Sequence, residues 1–141
     1  MSVEPSVTKR VPALLVMHAD LAAALLRAAE KVVGPIDGVE MLSNEGFSRH
    51  DLESEIARRV EGWTEGGLVL TDFWGGSCHI CGVSALRGTP ARGEVVIVTG
   101  INLPTLIDFL HNRDRYPVAE LAERLRLKGQ DSIRVQRGRP A

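Results

Sequence analysis

The sequence predicts an α/β fold: a doubly wound, mainly parallel four-stranded sheet flanked by helices. Three observations predict it. Short apolar runs alternate with amphipathic stretches of helical period along the whole chain. The connections between them are short and rich in glycine, proline and serine. Strand, helix, strand, helix in that rhythm means βαβ units, whose crossovers are right-handed and cover both faces of the sheet.

The elements follow in order. Residues 1–10 are polar and aperiodic around Pro5 and read as a flexible tail; residues 11–136 form one domain, and residues 137–141 a second tail. Val11 to Met17 is a continuous apolar run, the pattern of a strand buried on both faces. Asp20 to Val33 is an Ala/Leu-rich helix with Leu21, Leu25, Ala28, Ala29 and Val32 on one face, closed by Gly34-Pro35. Gly38 to Leu42 is the second strand. Ser48 caps a helix carrying Leu52, Ile56 and Val60 and ending near Gly62. Leu68 to Thr71 is the third strand, and Gly75-Gly76-Ser77 leads into a helix from about Cys78 to Leu86. Glu94 to Thr99 is the fourth strand. Leu103 to His111 follows with Pro104 in its first turn, where an N–H is dispensable. A last helix, Val118 to Lys128, is expected to stop at Gly129, and the alternating Ser132 to Gln136 reads as a short edge strand.

Composition narrows the function classes. The chain has 141 residues, 25% charged and 44% hydrophobic, with a net charge of -1 and both signs interspersed. This argues for one globular domain without a nucleic-acid or membrane-binding surface. No apolar run reaches the ~20 residues of a bilayer span, and no secretory signal is present, so the expected location is the cytoplasm.

In such a sheet, ligands bind beyond the carboxyl ends of the strands, where strand order reverses. For the common small order 2-1-3-4 that point lies between the first and third strands. His18 leaves the first; Asp72, Phe73, Trp74, Gly75, Gly76 and Ser77 leave the third. A carboxylate on one imidazole nitrogen fixes the tautomer and leaves the other with a nucleophilic lone pair. Two glycines before a helix can turn N–H groups toward an anion, the helix N-terminus favours phosphate oxygens, and Ser77 adds a hydroxyl. The same residues have plainer readings: a hydrogen-bonded loop histidine, turn glycines with an N-cap, and Trp74 as packing or rim.

At these residues the chain resembles the IIA domain of the mannose/fructose/sorbose family of the phosphoenolpyruvate-dependent sugar phosphotransferase system. The likeness runs from Pro12 to Val135. It is carried by Leu15-Val16-Met17-His18, by Val69-Leu70-Thr71-Asp72-Phe73-Trp74-Gly75-Gly76-Ser77, and by Val98-Thr99-Gly100-Ile101-Asn102-Leu103-Pro104. The resemblance implies a protein-histidine phosphotransferase. His18 would accept a phosphoryl group from the phosphocarrier HPr on Nε2, with Asp72 orienting the ring and Ser77 contacting the phosphate. A IIB protein would receive the group, and the membrane would be reached only indirectly, through a permease. It implies a homodimer in which Ser132 to Gln136 joins the partner's sheet, and neither metal nor organic cofactor. Cys78 stands where the family often has proline, and Cys78-His79-Ile80-Cys81 replaces a common asparagine.

Competing readings stay open at this point. Cys78 and Cys81 have the spacing of a redox pair, whose thiols a helix N-terminus would acidify, or with His79 and His18 could form a zinc site. His18, Asp72 and Ser77 also name a hydrolytic triad, although no nucleophile-elbow glycine follows. The same phosphohistidine chemistry could serve a regulator that reports phosphorylation state, without a transport partner. His50 and His111 carry no assigned role. Asn102 and Pro104 read as shaping the loop after the fourth strand, and Arg134, Arg137 and Arg139 as a solvated tail.

Overall fold

The computed structural model describes residues 10–89 and 93–139. Four strands form one sheet: β1 (Ala13–Met17), β2 (Val39–Ser43), β3 (Gly67–Thr71) and β4 (Val95–Val98). The helices are α1 (Leu21–Val33), α2 (Arg49–Glu61), α3 (Ser77–Arg87), α4 (Leu103–Asn112) and α5 (Val118–Ser132). The strand order is β2-β1-β3-β4, all parallel. This is the expected doubly wound arrangement.

The two central strands explain why their sequence is apolar without interruption. Every residue of β1 and β3 is buried. Because successive side chains point to opposite faces, each strand feeds two cores. Ala13, Leu15, Met17, Leu68 and Leu70 pack with Leu106, Phe109, Leu121 and Leu125 under α4 and α5. Leu14, Val16 and Val69 pack with Leu52, Ile56, Val60, Cys81 and Ala85 under α2 and α3. Burying one such leucine stabilises the fold by roughly 1.5–3 kcal/mol. The edge strand β2 instead exposes Glu40 and Met41, and Glu40 pairs with Arg59 of α2 at 2.6 Å.

The helix starts follow from their caps. Ser48 accepts the N–H of Asp51 at 3.1 Å. Asn102 and Thr105 form a reciprocal capping box at the start of α4, with a proline in its first turn. That bears directly on Asn102 and Pro104, which do shape the loop after β4.

Two expectations at the C-terminus differ from the structure. The last helix passes through Gly129 and ends at Ser132. Gly129 is no cap: it faces Thr105 of α4, and Ser132 Oγ donates to the Gly129 carbonyl at 2.8 Å while accepting from Asn102 Nδ2 at 3.1 Å. The tie to Asn102 carries the helix one turn further than local propensity predicts. The stretch Ser132–Gln136, expected as an edge strand, therefore joins no sheet within this chain. Ser132 is helical and residues 133–137 have no regular secondary structure. A strand needs a partner for its backbone hydrogen bonds, and among the described residues none pairs with this stretch. Of the expected tails, residues 1–9 and 140–141 lie outside the described residues. Arg10 is fixed by Asp37 at 2.6 Å, and residues 137–139 are exposed and irregular.

A Cβ at Gly129 would lie 3.5 Å from Thr105 Cγ2, ordinary contact. Gly129→Ala is therefore expected to stabilise the protein by about 1 kcal/mol through helix propensity, read as a higher melting temperature. A lower one would mean that α4 and α5 need the glycine's closer approach.

Candidate functional site

The site is set by strand register. Val16 of β1 lies level with Thr71 of β3, so the residues leaving these strands, His18 and Asp72, emerge side by side. His18 Nδ1 is 2.8 Å from Asp72 Oδ2, and the same oxygen accepts the His18 backbone N–H at 2.9 Å. Asp72 Oδ1 accepts the N–H of Phe73 at 3.1 Å. A carboxylate only accepts, so Nδ1 carries the proton and Nε2 is left with its lone pair. Ser77 Oγ, at the first residue of α3, is 3.2 Å from that nitrogen. The Phe73 ring stacks on the imidazole with centroids 5.0 Å apart.

Burial divides the roles of the pair. The Asp72 side chain is 9% exposed and the His18 side chain 34%. The acid is inside and the ring reaches the surface. Burial pushes the Asp72 carboxyl up, but the hydrogen bonds from the backbone and ring of His18 and the charge they bring outweigh it. The net position is below the ordinary carboxylate value. Asp72 is thus a fixed anion throughout the neutral range.

The backbone around His18 is bent to this purpose. Ala19 has φ +52°, the one left-handed non-glycine among the described residues, a conformation that costs a side-chain-bearing residue about 1–2 kcal/mol. The strain is held by Asn44, whose Oδ1 accepts the Ala19 N–H at 3.0 Å and whose own N–H binds the Met17 carbonyl at 3.2 Å. Sequence reasoning missed Asn44. It leaves β2 beside β1, so the strand-end rule that found His18 and Asp72 would have found it too if applied to the second strand.

Gly75 and Gly76 stand beside the ring, but their N–H groups face inward. Gly75 takes φ +85° and donates to Nδ1 of His79 at 2.9 Å; Gly76 donates to the Phe73 carbonyl at 3.4 Å. A Cβ on Gly76 would sit 2.6 Å from the Phe73 ring. Gly76 is small so that Phe73 can lie against His18. In this structure both amides are engaged within the turn. The donors that remain are the first-turn N–H groups of α3 at Ser77, Cys78 and His79, which precede the first intrahelical bond from Ile80 to Gly76. The sequence offers His79 as a possible metal ligand. It is buried under Trp74, with ring centroids 4.4 Å apart, and anchors the Gly75 turn.

The cysteines do not form an activated thiol pair. Cys78 is fully buried, and burial, then the charge of Asp72, pushes its thiol up to about 12. Burial, then Glu53, raises Cys81 as well. Low dielectric and neighbouring anions override the helix terminus. The Asp72–His18–Ser77 distances do match those of a hydrolytic triad. However, Ser77 begins a helix rather than topping a strained elbow, and the two turn amides that could hold an oxyanion are already bonded.

A depressed carboxyl stabilises the folded state fully above its ordinary value of 3.8 and loses that contribution as pH falls through its lower folded value. The carboxyl carbon resonance of Asp72 is therefore expected to titrate with a midpoint below 3.8. A midpoint above it would mean that burial outweighs the His18 hydrogen bonds.

No helix among the described residues is long and apolar enough to cross a membrane. No curated protein sequence matches the chain. Solved structures do. EIIA of Streptococcus agalactiae superposes with a TM-score of 0.80 at 24% identity, covering 89% of this chain and 96% of that one. The mannose/sorbose-specific IIA subunit of Enterococcus faecalis gives 0.76 at 21% identity, covering 94% and 99%. The IIA protein associated with the fucose utilization operon of Streptococcus pneumoniae gives 0.71 at 25% identity, covering 91% and 94%. The sequence profile of the PTS system fructose IIA component spans residues 13–126, from the first residue of β1 into α5. The chain belongs to this family of sugar phosphotransferase system IIA components.

Proposed function

We propose that this protein is a phosphohistidine carrier: phospho-HPr phosphorylates His18 on Nε2, and a IIB protein takes the group onward. The observation that carries the reading is the Asp72 carboxylate on Nδ1, which leaves Nε2 bare and aimed outward beside Ser77. In the forward step the Nε2 lone pair bonds to phosphorus as the P–N bond to the donor imidazole breaks, and that electron pair returns to the donor nitrogen. The acceptor ring becomes an imidazolium, protonated on Nδ1 and phosphorylated on Nε2. The buried anion of Asp72 offsets this new positive charge without having to reorganise. Ser77 Oγ and the first-turn N–H groups of α3 hold the phosphoryl oxygens; Gly75 and Gly76 contribute by fixing that turn.

The surroundings suit a protein donor. Phe73, stacked on the ring, is exposed, as are Trp74 on His79 and Phe47 and Ile80 in the groove with Ser77, an apolar rim of the kind that binds a partner rather than a small solute. A groove of about 340 Å³ between Ser77 and Phe47 also carries Arg49, a cation for the incoming phosphate.

Incubation with enzyme I, HPr and phosphoenolpyruvate is expected to add one acid-labile phosphate per chain, and His18→Ala to abolish it. Labelling of that variant would reject His18. Asp72→Asn is expected to slow labelling by roughly 100-fold or more with the fold intact; an unchanged rate would reject its orienting role.

Homodimer formation by strand exchange belongs to the same reading. The free edge of β4 and the flank of α5 enclose a groove of about 550 Å³ lined by Val96, Val98, Ile101, Ala122 and Ile133. Ile133 and Val135, 83% and 90% exposed, alternate as one face of a strand. Replacing both with Asp is expected to convert a dimer to a monomer in sedimentation. A wild-type monomer, or a variant that stays dimeric, would contradict exchange through this segment.

A further inference from the structure

Phosphoryl transfer leaves one group beside the reacting ring unused. Cys78 Sγ lies 3.7 Å from His18 Nδ1, on the same nitrogen that Asp72 Oδ2 approaches to 2.8 Å. One donor atom from each of His18, Asp72 and Cys78 lies within 4.8 Å of the other two. Imidazole nitrogen, carboxylate oxygen and thiolate sulfur are the donors a borderline-soft dication takes, three from the protein and a fourth position left for water. With Zn–N of about 2.0–2.1 Å and Zn–S of about 2.3 Å, tetrahedral ligands N and S sit about 3.6 Å apart. The observed N to S separation, 3.7 Å, is within about 0.1 Å of that. Nitrogen and oxygen need about 3.4 Å, so the carboxylate has to retreat by about 0.6 Å.

We propose that His18, Asp72 and Cys78 form a binding site for a zinc-class divalent cation, and that the cation acts as a brake on phosphorylation of His18. A neutral imidazole has one nitrogen with a free lone pair. A cation on Nδ1 takes that lone pair, the ring proton passes to Nε2, and Cys78 gives its thiol proton to solvent. An Nε2 that carries hydrogen has no electron pair to offer phosphorus. Two anionic ligands, thiolate and carboxylate, balance the dication in a buried setting. The His79 and Cys81 side chains lie outside this donor set: His79 Nδ1 is committed to the Gly75 N–H, and Cys81 Sγ faces the Arg49 carbonyl at 3.7 Å. Binding stands on geometry alone; the braking effect rests on the carrier role of His18 proposed above.

The test uses the full, reduced chain. Titration with Co²⁺ is expected to saturate at one equivalent with a thiolate-to-cobalt charge-transfer band that Zn²⁺ displaces. Cys78→Ser is expected to weaken binding by about 100-fold, and Cys81→Ser to leave the band in place. In the wild-type chain, where folding is not in question, Zn²⁺ is expected to shift the nitrogen resonance of Nδ1 and bring a proton onto Nε2. With purified phospho-HPr as donor, so that zinc never meets enzyme I, saturating Zn²⁺ is expected to slow labelling about tenfold or more. In Cys78→Ser the rate ratio with and without zinc returns to one. Absence of the band, its survival in Cys78→Ser, or labelling indifferent to saturating zinc would each overturn the proposal. A wild-type chain that binds cobalt as described and is never phosphorylated would instead overturn the carrier role and leave the metal site standing.

Discussion

The rest of the site depends on a single buried acid placed against one nitrogen of one imidazole. Asp72 gives Oδ2 to both the ring and the backbone of His18 and Oδ1 to the N–H of Phe73. Its charge is fully supplied with donors, its rotamer is locked, and the histidine has one tautomer in which the arrangement is satisfied. Everything that faces the surface, from the bare nitrogen to the stacked Phe73 and the Ser77 hydroxyl, is organised around that choice. The free energy needed to bury a carboxylate is offset locally, which is why its proton affinity falls rather than rises.

The sheet makes this geometry inexpensive to hold and hard to disturb. Two parallel neighbours in fixed register deliver residues 18 and 72 to the same level, with cores on both faces preventing either strand from sliding. A one-residue slip would send every inward side chain of β1 to the opposite face. Strain is concentrated in the turn after the histidine, at Ala19, and restrained by Asn44 from a third strand end. The turn before α3 is restrained from below, where His79 takes the Gly75 amide and supports Trp74. The site is thus assembled from strand ends and one helix start, rigid elements all, while the apolar rim stays exposed.

Much of this was legible in the sequence, for stated physical reasons. The unbroken apolar run from Val11 to Met17 reads as a doubly covered strand, and the amphipathic periods of α1 and α2 mark those helices. The strand-end rule then brings His18, Asp72 and Ser77 together. What escaped were features decided by contacts distant in sequence. Gly129 looks like a stop signal until Asn102 is seen holding Ser132. Gly75 and Gly76 look like an anion cradle until His79 and the Phe73 carbonyl claim their amides. The cysteines look like an acidified pair until burial and the Asp72 charge are counted. Ser132–Gln136 alternates like a strand, yet Ser132 is drawn into α5 by Asn102 and the residues after it pair with no strand of the sheet.

Which nitrogen of His18 carries the proton is directly observable. Long-range proton–nitrogen correlation spectra of the uniformly labelled protein, recorded where the ring is neutral, distinguish the two imidazole nitrogens by shift and coupling. A protonated Nδ1 and a pyridine-like Nε2 are predicted. A proton on Nε2 in the neutral, metal-free protein would contradict the central claim.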